Sequence, residues 1–88
     1  MTLFKPALKF IKYHDIRAVN FTGIGLHDDN LRMLASYLKR NPNLRSLVLD
    51  SNPFSDEGLL KIVEVLKRNS KLTHLSIKKC ENVTNDSV

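Results

Sequence analysis

The pattern of apolar residues repeats along the chain with a period of 28 residues. Three short motifs share the spacing LxxLxL and differ in position by this period: Ile16, Val19 and Phe21; Leu44, Leu47 and Leu49; Leu72, Leu75 and Ile77. Alternating apolar positions are typical of a strand with one buried face. Recurrence at a fixed period predicts that one strand-containing unit is stacked several times.

The segments between these motifs are predicted to be amphipathic helices. Apolar residues fall at helical spacing in two equivalent runs: Leu31, Leu34 and Leu38; Leu59, Ile62 and Leu66. Polar and acidic residues at 27–30 and 55–58 suit helix starts, whereas basic residues at 39–40 and 67–68 suit helix ends. Alternating strands and helices predict an α/β solenoid with right-handed crossovers, parallel strands on its concave face and helices on its convex face.

The period divides the chain into four predicted segments. Residues 1–15 form an N-terminal capping helix or half-repeat, in which Leu3 and Phe10 overlay Leu31 and Leu38. Residues 16–43 and 44–71 are complete repeats, and residues 72–88 are a truncated third. Because no helix follows the third strand, we expect further repeats or another chain to cover its open C-terminal edge. A stable chain that sediments strictly as a monomer would contradict this expectation.

From residue 16 to residue 88 the sequence resembles the ribonuclease-inhibitor-like class of leucine-rich repeat. The motif LxxLxLxxN, the run NPFSDEGL at 52–59 and the run VTNDSV at 83–88 carry the resemblance. NOD-like receptors, tropomodulins and Ran GTPase-activating proteins share this architecture, so the resemblance implies a solenoid and does not select a partner. Ile24 departs from the pattern, which usually has Asn or Cys there, and the first turn is expected to be irregular.

The composition indicates a cellular location and argues against a membrane-spanning segment. Hydrophobic residues make up 42% of the 88-residue chain and charged residues 26%, and no segment approaches the roughly 20 apolar residues that cross a bilayer. The one cysteine, Cys80, cannot form an internal disulfide, which favours a reducing, intracellular and cytoplasmic location. A mitochondrial leader is the alternative, since Asp15 is the first acidic residue.

No catalytic, cofactor-binding or metal-binding residues are predicted, and the chain is not expected to be an enzyme. His14, His27 and His74 are scattered and lack metal-ligand spacing. Cys80 occupies the position of Asn52 in the repeat, where a structural role in the turn outweighs a nucleophilic one.

The concave strand face is predicted to bind another protein. Its residues alternate with the buried apolar positions: Ala18, Asn20, Thr22, Ser46, Val48, Asp50, His74, Ser76 and Lys78. Three alternatives remain at this point: a scaffold between functional repeats, a regulator of a small GTPase or of actin by resemblance, and a nucleic-acid binder. The net charge of +5 raises the last, but most cations cluster near helix C-termini, where they offset the helix dipole.

Overall fold

The computed structural model describes residues 4–69 and 71–84, and in them three helices alternate with three strands. The predicted α/β solenoid is confirmed. In chain order, the elements are α1 (Phe4–Tyr13), β1 (Ala18–Asn20), α2 (Asp28–Leu38), β2 (Ser46–Val48), α3 (Asp56–Leu66) and β3 (His74–Ser76).

The three strands form one parallel sheet in the order β1-β2-β3. Val19 pairs with Leu47 and Leu47 with Leu75, so the register between neighbouring strands equals the sequence period. Each strand has only three residues, and hydrogen bonds beyond the strand ends lengthen the ladder. The amide of Phe21 donates to the carbonyl of Val48 at 2.8 Å, and that of Leu49 to the carbonyl of Ser76 at 2.9 Å.

The hydrophobic core lies between the sheet and the helices. Its largest fully buried side chains come from both layers and from the connecting turns: Leu8, Leu26, Leu31, Leu34, Leu44, Leu47, Leu49, Phe54, Leu59 and Ile62. Each such side chain contributes about 1.5–3 kcal/mol when it is taken out of water. Seven of these ten residues are apolar positions of the strand motifs and helical runs that define the 28-residue period, so the repeat supplies most of the fully buried core.

The start of α3 depends on an aspartate from the preceding repeat. Asp28 Oδ1 accepts hydrogen bonds from the amides of Ser55, at 2.7 Å, and Gly58, at 3.0 Å, while Asp28 Oδ2 accepts from the Ser55 hydroxyl at 2.7 Å. A Cβ atom on Gly58 would lie 2.9 Å from the Cα atom of Asp28, closer than packed carbon atoms approach. Glycine at this position therefore allows the carboxylate to approach the helix terminus.

The N-terminal segment contains the helix α1, whose role as a cap or half-repeat stays a prediction, but its buried face differs from the predicted overlay. Phe10 is 54% exposed and stacks on the ring of His14, with the ring centroids 3.9 Å apart. The buried residues of α1 are Phe4, Leu8 and Ile11. Phe4 and Ile11 precede Leu31 and Leu38 of α2 by 27 residues, one fewer than the period. The apolar stripe turns the helix to bury these three side chains. Leu3 lies outside the described residues.

Asn52 connects the turns of two neighbouring repeats from a buried position. Its Oδ1 accepts from the amides of Ile24, at 3.1 Å, and Leu26, at 3.0 Å. Its Nδ2 donates to the carbonyls of Phe21, at 2.8 Å, and Leu49, at 3.0 Å. The turn at Ile24, which lacks an asparagine of its own, thus obtains its hydrogen bonds from the next repeat.

We expect Asn52→Ala to lower the free energy of unfolding by about 2–4 kcal/mol, because several buried backbone groups lose their partner at once. Urea unfolding followed by circular dichroism measures the change. Asn43→Ala is the control, since the Asn43 side chain bonds the side chains of Asp15 and Lys71 at exposed positions. Equal losses in the two variants would contradict the role given to Asn52.

Candidate protein-binding face

The nine predicted binding residues lie in three rows across the sheet, and we call this surface the concave face. One row follows the register Ala18, Ser46, His74 and the next Asn20, Val48, Ser76. Thr22, Asp50 and Lys78 continue at the same spacing beyond the strand ends. The fold therefore brings together residues that are far apart in sequence, although their role in binding stays a prediction.

Exposure differs among these nine residues. Ala18, Asn20, Thr22, His74 and Lys78 are exposed, and Ser46, Val48 and Asp50 are half-buried. Ser76 was expected to be available to a partner, but only 8% of it is exposed and its hydroxyl donates to Asp50 Oδ1 at 2.6 Å. Ser76 is buried because its side chain bonds within the face, and its part in binding stays a prediction.

Asp50 organises the end of the concave face. Besides the Ser76 hydroxyl, its Oδ1 accepts the amide of Lys78 at 2.7 Å. The hydrogen bond from Ser76 outweighs partial desolvation, and with the Lys78 amide it holds the pKa of the Asp50 carboxyl below its usual range. Asp50 is therefore a fixed acceptor that links two strands and carries its negative charge at neutral pH.

A second local pair occupies the first repeat. Asn20 Oδ1 accepts from the amide of Thr22 at 3.0 Å and from its hydroxyl at 2.7 Å. In contrast, the side chains of Ser46 and His74 make no hydrogen bond within residues 4–69 and 71–84. Val48 and, in the neighbouring row, Ser46 and His74 form the centre of the face. We call this centre uncommitted, because these three side chains make no hydrogen bond to the described part of the solenoid.

The third strand leaves apolar surface open within the described residues. Leu75 is 39% exposed, whereas its partner in the register, Leu47, is completely buried. On α3, Leu60 is 53% exposed. Cover of this apolar surface by further repeats or by another chain stays a prediction.

Cys80 lies in the turn position that the repeat period assigns to it. Cys80 is buried, and its thiol donates to the carbonyl of Leu49 at 3.3 Å, in the same turn position that Asn52 holds one repeat earlier. Among the described residues, no group of His, Cys, Asp and Glu side chains is arranged to hold a metal ion. None of the described helices is long and apolar enough to cross a membrane.

Sequence reasoning missed the links that Asp28 and Asp50 make between repeats. A signal existed for Asp28: it aligns with Asp56 at the repeat period, and Asp56 likewise accepts from the amide and the hydroxyl of Thr84, at 2.8 Å and 2.6 Å. An aspartate that recurs at a helix start suits capping of its own helix equally well. The period alone therefore does not distinguish the two roles.

Comparison with known proteins agrees with this fold. A family model described as "Leucine Rich repeat" matches residues 40–63. The solved structure described as leiomodin-1 actin-binding site 2 is similar, with a TM-score of 0.84 and 22% sequence identity over 98% of this chain. The chain spans about half of that structure, 51% of its length. No curated protein sequence matches the chain. The predicted leucine-rich repeat architecture is thus confirmed, and the ribonuclease-inhibitor-like subclass stays a prediction.

We expect stability to fall at acidic pH. At Asp28, desolvation by burial raises the pKa of the carboxyl, but the hydrogen bonds from the side chain and amide of Ser55 and from the Gly58 amide together outweigh it, so the pKa is lowered. The pKa of Asp50 is lowered as well. A carboxyl whose folded pKa is depressed stabilises the fold above its unfolded pKa, about 3.9, and this contribution disappears as the pH falls through the folded value.

Thermal unfolding midpoints between about pH 7 and pH 2 measure this effect. Asp28→Asn should lower the midpoint at neutral pH and flatten its decline below about pH 4. Asp29→Asn is the matched control, because the Asp29 side chain is 91% exposed and, within the described residues, forms an ion pair with Arg32 alone. An undiminished acid dependence in Asp28→Asn would show that Asp28 is not a source of it.

Proposed function

We propose that this leucine-rich repeat chain is a protein-interaction module and that its concave face is the binding surface. The observation that carries the proposal is the uncommitted centre of the face, where half-buried Val48 lies among Ser46 and His74. Neighbouring strands hold Ser46 and His74 about 4.8 Å apart, and Val48 lies two residues, roughly 6.6 Å, along the strand from Ser46. Because the sheet fixes the backbone, a partner that binds there orders little additional chain.

The chemistry of the face suggests what a partner would present. Val48 offers a small apolar surface, His74 offers a hydrogen-bonding ring, and Asp50 and Lys78 offer fixed charges at one end. The nine residues include no Trp, Tyr or Arg, the types that most often dominate binding energy. Arg17 and Arg45, both exposed on the strand-start side of the sheet, would then add the stronger contacts. A guanidinium nitrogen of Arg17 lies 3.7 Å from a carboxylate oxygen of Asp15.

The double substitution Val48→Arg and His74→Glu tests the proposal without changing the net charge. Proteins captured from a lysate by the wild-type and variant chains are quantified by mass spectrometry. We expect recovery of the main partners to fall about tenfold or more, which corresponds to about 1.4 kcal/mol. The control, Met33→Arg and Lys9→Gln, makes charge changes of the same size at exposed positions of α2 and α1, away from both the sheet and the groove between α2 and α3; we call it the helix control.

Circular dichroism must show that both variants retain the wild-type fold. Unchanged recovery with the Val48 and His74 substitutions would contradict the concave face as the site and would favour a scaffold role. Loss of partners with the helix control alone would also contradict it, because the binding surface would then lie on the helices.

Actin is the second candidate partner, and the fold similarity to leiomodin-1 actin-binding site 2 supports it. Titration of the wild-type chain into fluorescently labelled monomeric actin is the direct test. Saturable binding that weakens with Val48→Arg and His74→Glu, but not with the helix control, would support the concave face as the actin contact. No binding at concentrations up to about 100 μM, where an affinity of roughly −5.5 kcal/mol would be seen, would exclude actin.

A further inference from the structure

A basic groove lies between α2 and α3 on the helix side of the molecule. It has a volume of about 300 Å³. Four cationic side chains, one carboxylate and three small or apolar side chains line it: Arg32, Lys39, Lys61 and Arg68; Glu64; Ala35, Ser36 and Val65. The groove continues into a depression of about 190 Å³ that shares Lys39, Val65 and Arg68 with it. We call the joined surface the basic groove.

Most of the positive charge in the basic groove is uncompensated. Arg32 forms ion pairs with Asp29 and with Glu57. By contrast, no carboxylate in residues 4–69 and 71–84 forms an ion pair with Lys39, Lys61 or Arg68. Three cations thus remain available, against the single carboxylate of Glu64.

Stabilisation of the helix ends does not account for all of these cations. A helix C-terminus carries about half a negative charge, and each of the two helices is followed directly by a pair of cations, at 39–40 and 67–68. One cation at each end would already offset the dipole. Lys61 lies in the middle of α3. The stabilising effect of the helix dipole on cations is confined to the last turn, so it does not reach Lys61.

The floor of the basic groove is apolar. Ala35 and Val65 are both buried and lie between the cations of α2 and those of α3. A ligand that fits must therefore combine negative groups with at least one small apolar group. A peptide of acidic and apolar residues has this combination, and the guanidinium of Arg68 can bind a carboxylate through two parallel hydrogen bonds.

We propose that the basic groove binds an acidic segment of a partner protein. Its carboxylates pair with Lys39, Lys61 and Arg68, and one of its apolar side chains lies over Ala35 and Val65. Nucleic acid fits less well, because no aromatic side chain lines the groove for base stacking and Glu64 would repel a continuous row of phosphates. The proposal is independent of the concave face, which lies on the other side of the sheet.

A fluorescently labelled synthetic peptide of Glu and Leu residues is the probe, and fluorescence anisotropy measures its dissociation constant. We expect Lys39→Glu with Arg68→Glu to weaken binding about tenfold, since two attractions become repulsions. The matched control is Lys5→Glu with Lys9→Glu on α1, where both lysines are exposed and the change in net charge is the same. Its effect should stay below about twofold.

Three further measurements complete the test. Lys39→Gln with Arg68→Gln removes the charges without repulsion and should weaken binding by a smaller factor, which keeps the test valid if the Glu variant unfolds. A peptide with Gln in place of Glu should not bind. The Val48→Arg and His74→Glu variant should bind the acidic peptide as the wild type does, which separates this proposal from the function of the concave face.

Two outcomes would overturn the proposal. Equal weakening by the α1 and groove substitutions would mean that the peptide responds only to net charge. Displacement of the peptide by a single-stranded oligonucleotide of equal charge, at a lower concentration than unlabelled peptide requires, would mean that the groove prefers nucleic acid.

Discussion

Hydrogen bonds from buried asparagine side chains to the backbone of the preceding repeat are the constraint on which this fold depends. Strands of three residues provide few hydrogen bonds between neighbours, and the turns beside them would otherwise bury unpaired amides and carbonyls. Asn52 joins two turns in this way, and Asn41 joins α1 to the chain before β1 by donating to Ile11 and accepting from Ile16, at 2.8 Å and 3.2 Å. One repeat later, Asn69 takes the position of Asn41 and donates to the carbonyl of Leu44 at 3.1 Å, and Cys80 takes the position of Asn52 and donates to the carbonyl of Leu49 at 3.3 Å.

The same links determine which side chains are left for a partner. Asp28, Asp50 and Asn20 are polar and accessible to different degrees, yet each has at least one side-chain oxygen bonded within or between repeats. Polar character alone is thus a poor guide to a binding residue in this fold. Val48 and His74 stand out because the solenoid does not use their side chains, and the regular register brings these two residues of different strands to one surface.

The sequence predicts the periodic part of the structure well and its local choices less well. Leu47 and Leu49 are buried because a fixed period with alternation permits only one buried face. The overlay of Phe10 on Leu38 was wrong because the apolar residues of α1 fit an offset of 27 as well as one of 28. Packing, and not the pattern, decides which apolar stripe of α1 is buried. The burial of Ser76 was missed because a strand pattern shows the direction of a side chain but not the neighbour on the next strand that bonds it.

Separation of charge between the two layers gives each face its own electrostatic character. The uncompensated cations of the basic groove lie on the helices, and a helix with its side chains is about 10–12 Å in diameter. The Debye length at physiological ionic strength is about 8 Å. Charges on the outer side of the helices are therefore largely screened before they reach the concave face, where Asp50 and Lys78 act locally. An acidic segment bound to the helices would then neither attract nor repel a partner of the sheet. A single short chain can in this way present two surfaces whose affinities are set separately.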